Sequence, residues 1–296
     1  MKELISIDRN IKKKESARPK TGYKSGKSSF DSLSKYKIND YNELNHLDEG
    51  LYTFSDESFE YDFIYKSSEE NRLFVLLSGY ADRGKLEPPV FQRWSWSHLF
   101  PGHCLYIADP TIKPHSDMGI AWYCGTQEAE VIPTILGLVK KVADNIGVSY
   151  ENVIFYGSSG GGFASLKLTA LLPESSAVVI NPQIDVTKYD NGSVLKLLKR
   201  CFGGVTRDEA LEQFKERFSL IPYSDRLKER RIFYIQNTLD KHHYEVHLPL
   251  FTSELNLNEM NDFKNNDIEV FFFAHPDGHS MQEPVEVFDL IMNRIT

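Results

Sequence analysis

Cysteine is scarce. The 296 residues hold three, Cys104, Cys124 and Cys201, an odd number with no C-x-x-C pair. That argues against a disulfide framework and against a cysteine-based zinc site, and points to reduced thiols in a cytoplasmic protein. No apolar run is long enough to span a bilayer. The opening stretch MKELISIDRNIKKK lacks the apolar centre of a secretory signal. An excess of positive charge is also missing: 34 Lys+Arg face 42 Asp+Glu, for a net charge of −8. Phosphate contacts need clustered Lys and Arg, so no nucleic-acid partner is expected.

The charge is unevenly distributed. Residues 1–40 hold 11 basic and 5 acidic residues, net +6, and the rest hold 23 and 37, net −14. Residues 9–37 are rich in Lys, Ser and Gly without periodicity. Residues 1–45 therefore read as a basic, flexible arm, suited to an anionic polymer, a membrane surface or a partner protein. A hydrophobic content of 41% and an aromatic content of 12% give the remainder, 46–296, ample material for one core.

From residue 50 the pattern becomes regular. LYTF and EYDFIYK read as an antiparallel pair at a sheet edge. Apolar strands then alternate with helices: strands at 72–80, 104–110, 152–157, 176–182, 230–237 and 268–276, helices at 130–147, 161–172, 243–255 and 284–295. Strands that are apolar throughout and alternate with helices predict a mostly parallel central sheet with helices on both faces. Residues 187–228 break the alternation with two helical patterns, read as an insertion capping the C-terminal edge of the sheet.

The stretch FYGSSGGGFAS, residues 155–165, carries the chemistry. A phosphate loop would need Lys and Ser/Thr after Gly162, where Phe163 and Ala164 stand. A dinucleotide fingerprint would need glycine where Ser159 stands. Gly157-Ser158-Ser159-Gly160-Gly161 instead matches G-x-S-x-G between a strand and a helix. That turn presents a strained, exposed serine, and its glycines avoid collisions with the neighbouring strand and helix. The nucleophile is then Ser159, and Ser158 is its neighbour.

A serine nucleophile needs a base, and the base an orienting acid, in the chain order Ser, Asp/Glu, His. Asp240 follows the 230–237 strand and His279 follows the last strand. Asp185 is the rival acid. The backbone N–H of Gly160, with that of Tyr80 or Gly79, forms the expected oxyanion hole. HYEVH places His243 and His247 four apart, but Glu245 is at the wrong offset for a zinc protease, so no metal is expected. Arg93, Trp94 and Trp96, with Trp122, read either as aromatic core with an Arg salt bridge or as a candidate substrate wall in which indoles stack on sugars and Arg93 pairs with an anion.

GSSGGG, INPQIDVTKY, NTLDKHHY and PDGHS resemble the α/β-hydrolase superfamily over residues 70–296. They look most like its bacterial branch tied to surface glycans. That branch includes capsular polysaccharide O-acetyltransferases and hydrolase-like proteins of the accessory secretion system for glycosylated adhesins. The resemblance implies an α/β-hydrolase fold and a Ser159–Asp240–His279 site acting on acyl esters of glycans. The expected function is O-acyl, chiefly acetyl, transfer to or from a bacterial surface glycan. Acetyl-CoA would serve as a co-substrate, with no tightly bound cofactor. A plain carboxylester hydrolase and a non-catalytic glycan- or secretion-partner-binding module are the alternatives.

Overall fold

The computed structural model describes residues 4–6, 32–257, 264–265, 267–280 and 283–295. Most of the basic arm lies outside these residues, but Leu4–Ser6 and Lys35–Ile38 pair into the sheet and Tyr41–Asn45 form a capped turn. The strands are β1 (Leu4–Ser6), β2 (Lys35–Ile38), β3 (Gly50–Ser55), β4 (Glu60–Lys66), β5 (Leu73–Leu77), β6 (His103–Ile107), β7 (Val153–Ser158), β8 (Ser176–Ile180), β9 (Arg231–Asn237), β10 (Lys264–Asn265) and β11 (Ile268–Ala274). The helices are α1 (Ile132–Ile146), α2 (Gly160–Leu171), α3 (Asn191–Cys201), α4 (Arg207–Phe218), α5 (Ser224–Lys228), α6 (Leu248–Glu254) and α7 (Val285–Ile295).

The strands form one sheet in the order β1-β11-β9-β8-β7-β5-β6-β4-β3-β2, with β10 paired to β11. The β3–β4, β4–β6 and β10–β11 pairs are antiparallel and the other pairs are parallel. LYTF and EYDFIYK do pair, as β3 and β4, but β2 lies outside them. KYKI was hard to read as a strand because only Ile38 of its four residues is buried.

Side-chain alternation sorts the core onto two faces. On β5, Leu73, Val75 and Leu77 pack with α1 and α2, while Phe74 and Leu76 pack with α7 and the turn at 94–99. α2 carries buried residues all round, because it is covered by the sheet on one side and by α1 and the insertion on the other. After β5 the chain moves to β6 on one side and returns to β7 on the other. Such a reversal of winding leaves a crevice at the carboxyl ends of the flanking strands, the usual ligand position in open α/β sheets. The Ser78–Tyr80 loop and Ser159 both lie at these ends.

The segment read as a helix over 243–255 begins differently. His243–His247 form a π-helical turn before α6. Wider turns of this kind are frequent at functional sites.

Candidate active site

Ser159 sits at the junction of β7 and α2 with φ 54° and ψ −120°, a conformation that ordinary side chains avoid. Ser158 ends the strand. The glycines around the turn are required by close approach. A Cβ on Gly157 would lie 2.3 Å from the Gly161 carbonyl oxygen, and one on Gly161 would lie 2.3 Å from that of Leu77. The strained residue is therefore wedged between helix and strand, with the N–H groups of the first turn of α2 unpaired within the helix.

Asp240 and His279 come together. Asp240 follows β9, and its Oδ2 accepts from His279 Nδ1 at 2.6 Å. The loops that carry them are tied by Asn237. Its Oδ1 accepts from His275 N at 3.0 Å, and its Nδ2 donates to the Gly278 carbonyl at 3.0 Å. His275 directly follows β11, and its backbone is part of this tie. The rival acid Asp185 is occupied elsewhere: its Oδ1 caps the turn at Thr187, accepting from the backbone N at 2.9 Å and from Oγ1 at 2.6 Å.

A second imidazole shares Asp240. His243 Nδ1 lies 2.9 Å from Asp240 Oδ1, and its ring stacks on that of His279 with centroids 4.3 Å apart and parallel planes. Burial alone would raise the Asp240 pKa, but the hydrogen bonds from His243 and His279 outweigh it and hold the carboxyl below its ordinary range. An ionised carboxylate only accepts, so both Nδ1 atoms carry the proton. Burial lowers the His243 pKa to about 4 against the pull of Asp240, so this ring is neutral near pH 7.

The Ser159 hydroxyl accepts a hydrogen bond from Gln183 Nε2 at 2.8 Å. That same nitrogen is 2.6 Å from His243 Nε2, and Gln183 Oε1 accepts from Trp122 Nε1 at 3.2 Å. The backbone of Gln183 also donates to the Ser159 carbonyl at 3.3 Å. Tyr189 packs over the rings of His242, His243 and His279. Burial, with Asp190 and Asp240 nearby, pushes its phenol up to about 12, against a pull from the Ser159 hydroxyl. Gln183 was not legible as a site residue, although INPQ was singled out. Its contacts join loops after different strands.

Several expected roles change. Gly79 does not offer its N–H to the site, because that group donates to Gln92 Oε1 at 3.1 Å. Its value is close approach: a Cβ there would lie 2.9 Å from the Ser158 carbonyl and 3.7 Å from Gly160 N. The loop that Gly79 opens is held by Tyr123, whose hydroxyl accepts from Ser78 N at 2.8 Å, and by Gln92 Nε2, which donates to the Tyr80 carbonyl at 3.2 Å.

The substrate-wall reading fails on burial. Trp96 packs edge-on against Phe288 in the core, Trp122 is buried and spends its N–H on Gln183, and Trp94 is half-buried against the same core. Arg93 is buried in an ion pair with Glu283, its Nε donating to Oε2 at 2.5 Å, and Nη2 donates to Ser158 Oγ at 3.2 Å. Tyr156 donates to the other Glu283 oxygen. Ser158 is thus an anchor on the far side of the turn.

A cavity of about 350 Å³ opens beside the site, lined by Tyr80, Asp82, Arg83, Asp117, Ile120, Asp190 and Lys196 among others. The insertion helix α3 supplies Gly192, Ser193 and Lys196 to its wall. Tyr80 itself is half exposed. Asp240, His243 and His279 are also the one group among the described residues whose ligand atoms, all within 4.8 Å of one another, could surround a cation. Here both Nδ1 atoms are hydrogen-bonded to the two carboxylate oxygens.

The sheet order, the strand–turn–helix around Ser159 and the acid and histidine loops define the α/β-hydrolase fold. No family model and no curated protein matches this sequence. Solved structures do match in fold. The capsule O-acetyltransferase of Neisseria meningitidis serogroup A aligns with a TM-score of 0.60 at 16% identity, covering 86% of this chain and 98% of that one. The Glycosylation Associate Protein (Gap123) complex from Streptococcus agalactiae aligns at 0.56 and 15% identity, over 82% of this chain and 45% of that one. Mycobacterium tuberculosis MPT51 (FbpC1) aligns at 0.56 and 13% identity, over 81% and 95%.

Proposed function

We propose that this protein is a serine-dependent O-acyltransferase that moves an acetyl group to or from a bacterial surface glycan. The observation that carries the reading is the strained Ser159, joined through Gln183 to His243, which shares Asp240 with His279. In this reading His279 takes the Ser159 proton through Nε2 while Asp240 holds its Nδ1–H and stabilises the imidazolium. Ser159 Oγ bonds to the acyl carbon, and the carbonyl electrons move to an oxygen that faces the N–H groups of Gly160 and Tyr80. The leaving group departs with the proton, and an acceptor hydroxyl then takes the acyl group.

Acetyl-CoA is the proposed donor. A solved complex of the Neisseria capsule O-acetyltransferase with CoA supports this by likeness of fold. The cavity beside Tyr80 is the proposed acceptor site, since carboxylates, a serine and cations suit sugar hydroxyls. No helix among the described residues is long and apolar enough to cross a membrane. A cytoplasmic setting, where acetyl-CoA is made and thiols stay reduced, suits three buried free cysteines.

The test is turnover of acetyl-CoA and of an aryl acetate, each with and without glycan acceptors. Acetyl transfer that depends on a glycan is expected. Hydrolysis indifferent to every glycan would assign a carboxylester hydrolase instead. No turnover of either donor would favour a binding module.

A further inference from the structure

Gln183 is fully buried and completely specified. The Trp122 indole can only donate, so the amide oxygen must face it and the NH2 must face the site. Of the two amide hydrogens, one points at Ser159 Oγ, 2.8 Å away. The other points at His243 Nε2, 2.6 Å away. That imidazole nitrogen is an acceptor because Nδ1 carries the ring proton toward Asp240. Rotation of the amide would set its oxygen against a lone pair and leave the indole without an acceptor. A donor is therefore locked onto the nucleophilic oxygen, separately from the base and from the N–H groups proposed to hold the oxyanion.

From this geometry, and resting on Ser159 as the nucleophile, we infer that Gln183 is a further catalytic residue whose work is to release the acyl group from Ser159. In the free enzyme Oγ is a hydroxyl and accepts well. In the acyl-enzyme it is an ester oxygen, a much poorer acceptor. The Gln183 hydrogen bond is therefore present before acylation and weakened in the acyl-enzyme. It is regained as the Oγ–carbon bond breaks, when the electron pair returns to Oγ and His279 Nε2 returns a proton to it. The acceptor oxygen keeps the new bond to the acyl carbon and has already given its own proton to His279. An interaction stronger in the transition state than in the preceding ground state accelerates that step, and here the step is deacylation. Acylation starts with the bond already made, so it gains nothing from it. His243, through Asp240 and the second amide hydrogen, is the positioning residue that keeps the donor in place.

The test is Gln183→Met, which keeps the length and removes the donor, followed by burst and steady-state kinetics on an aryl acetate. The expected result is a drop in kcat of about 10–100-fold. kcat/KM, which reports acylation, stays within about threefold. An acetylated Ser159 peptide accumulates in the variant during turnover. A merely structural role would instead lower kcat and kcat/KM together with no accumulation, and would overturn the inference. Trp122→Phe keeps Gln183 but frees its amide to rotate, and should give the same split in smaller measure. If Gln183→Met does not fold, equal loss of kcat and kcat/KM in Trp122→Phe overturns the inference. Wild-type protein that a fluorophosphonate fails to label at Ser159 removes the nucleophile itself. A labelled wild type with unaltered kcat in both variants removes only the role of Gln183.

Discussion

Replacing Arg93 by Met should be among the most destabilising single changes in this protein. The guanidinium and the Glu283 carboxylate are both almost fully buried, at 6% and 1% side-chain exposure, with Nε and Oε2 at 2.5 Å. Arg93 also lies over the Tyr156 ring, 5.3 Å from its centroid, and donates to Ser158 Oγ at 3.2 Å. Removing it leaves Glu283 in the core with the Tyr156 hydroxyl as its main remaining donor. Breaking a buried pair from one side costs about 3–5 kcal/mol, because an uncompensated charge stays behind. Met fills much of the lost volume, so the loss measures charge rather than cavity. Adding Glu283→Gln to Arg93→Met removes that charge and should recover about 2 kcal/mol or more. Urea denaturation followed by tryptophan fluorescence measures all three proteins. A single variant within 1 kcal/mol of wild type, or a double variant no more stable than the single, would refute the reasoning.

Three further outcomes follow from particular residues. Ser159→Gly should abolish turnover yet raise stability by about 1 kcal/mol, because glycine relieves a backbone conformation costing about 1–3 kcal/mol; denaturation showing a net loss would contradict this. The His243 pKa falls from 6.5 to about 4 on folding, so the unfolded chain binds that proton more tightly. Its contribution of roughly 3 kcal/mol is complete above pH 6.5 and is lost as pH falls toward 4. Asp240, also held below its ordinary value, loses its contribution at still lower pH. Unfolding measured across this range should show the decline flattened in His243→Phe. Burial pushes the Cys104 and Cys201 thiols up to about 12. Native protein at pH 8 should therefore resist iodoacetamide that labels all three cysteines after unfolding.

What the sequence revealed depended on distance along the chain. The turn at Ser159 was legible because its glycines, strand and helix are contiguous. Asp240 and His279 were legible because each follows a strand whose composition marks it. Their convergence on one hydrogen bond needed only the chain order of the fold. Gln183 was out of reach because its significance lies in three contacts to side chains 24 to 61 positions away. The Arg93–Glu283 pair spans 190 positions, so the partner of Arg93 could not be read from its neighbours. Gly79 was placed correctly at the end of a strand. The use of its N–H depended on Gln92, which nothing local singled out. The π-turn at His243–His247 hid behind a helical pattern, since one added residue per turn leaves composition unchanged.

The most direct test of the account is to identify which hydroxyl in the 155–165 segment reacts. The protein is treated with a fluorophosphonate, digested, and the modified peptide sequenced by mass spectrometry. The account predicts one adduct, on Ser159, absent from Ser159→Ala and retained in Ser158→Ala. An adduct on Ser158, or an unlabelled segment in folded protein, would contradict it.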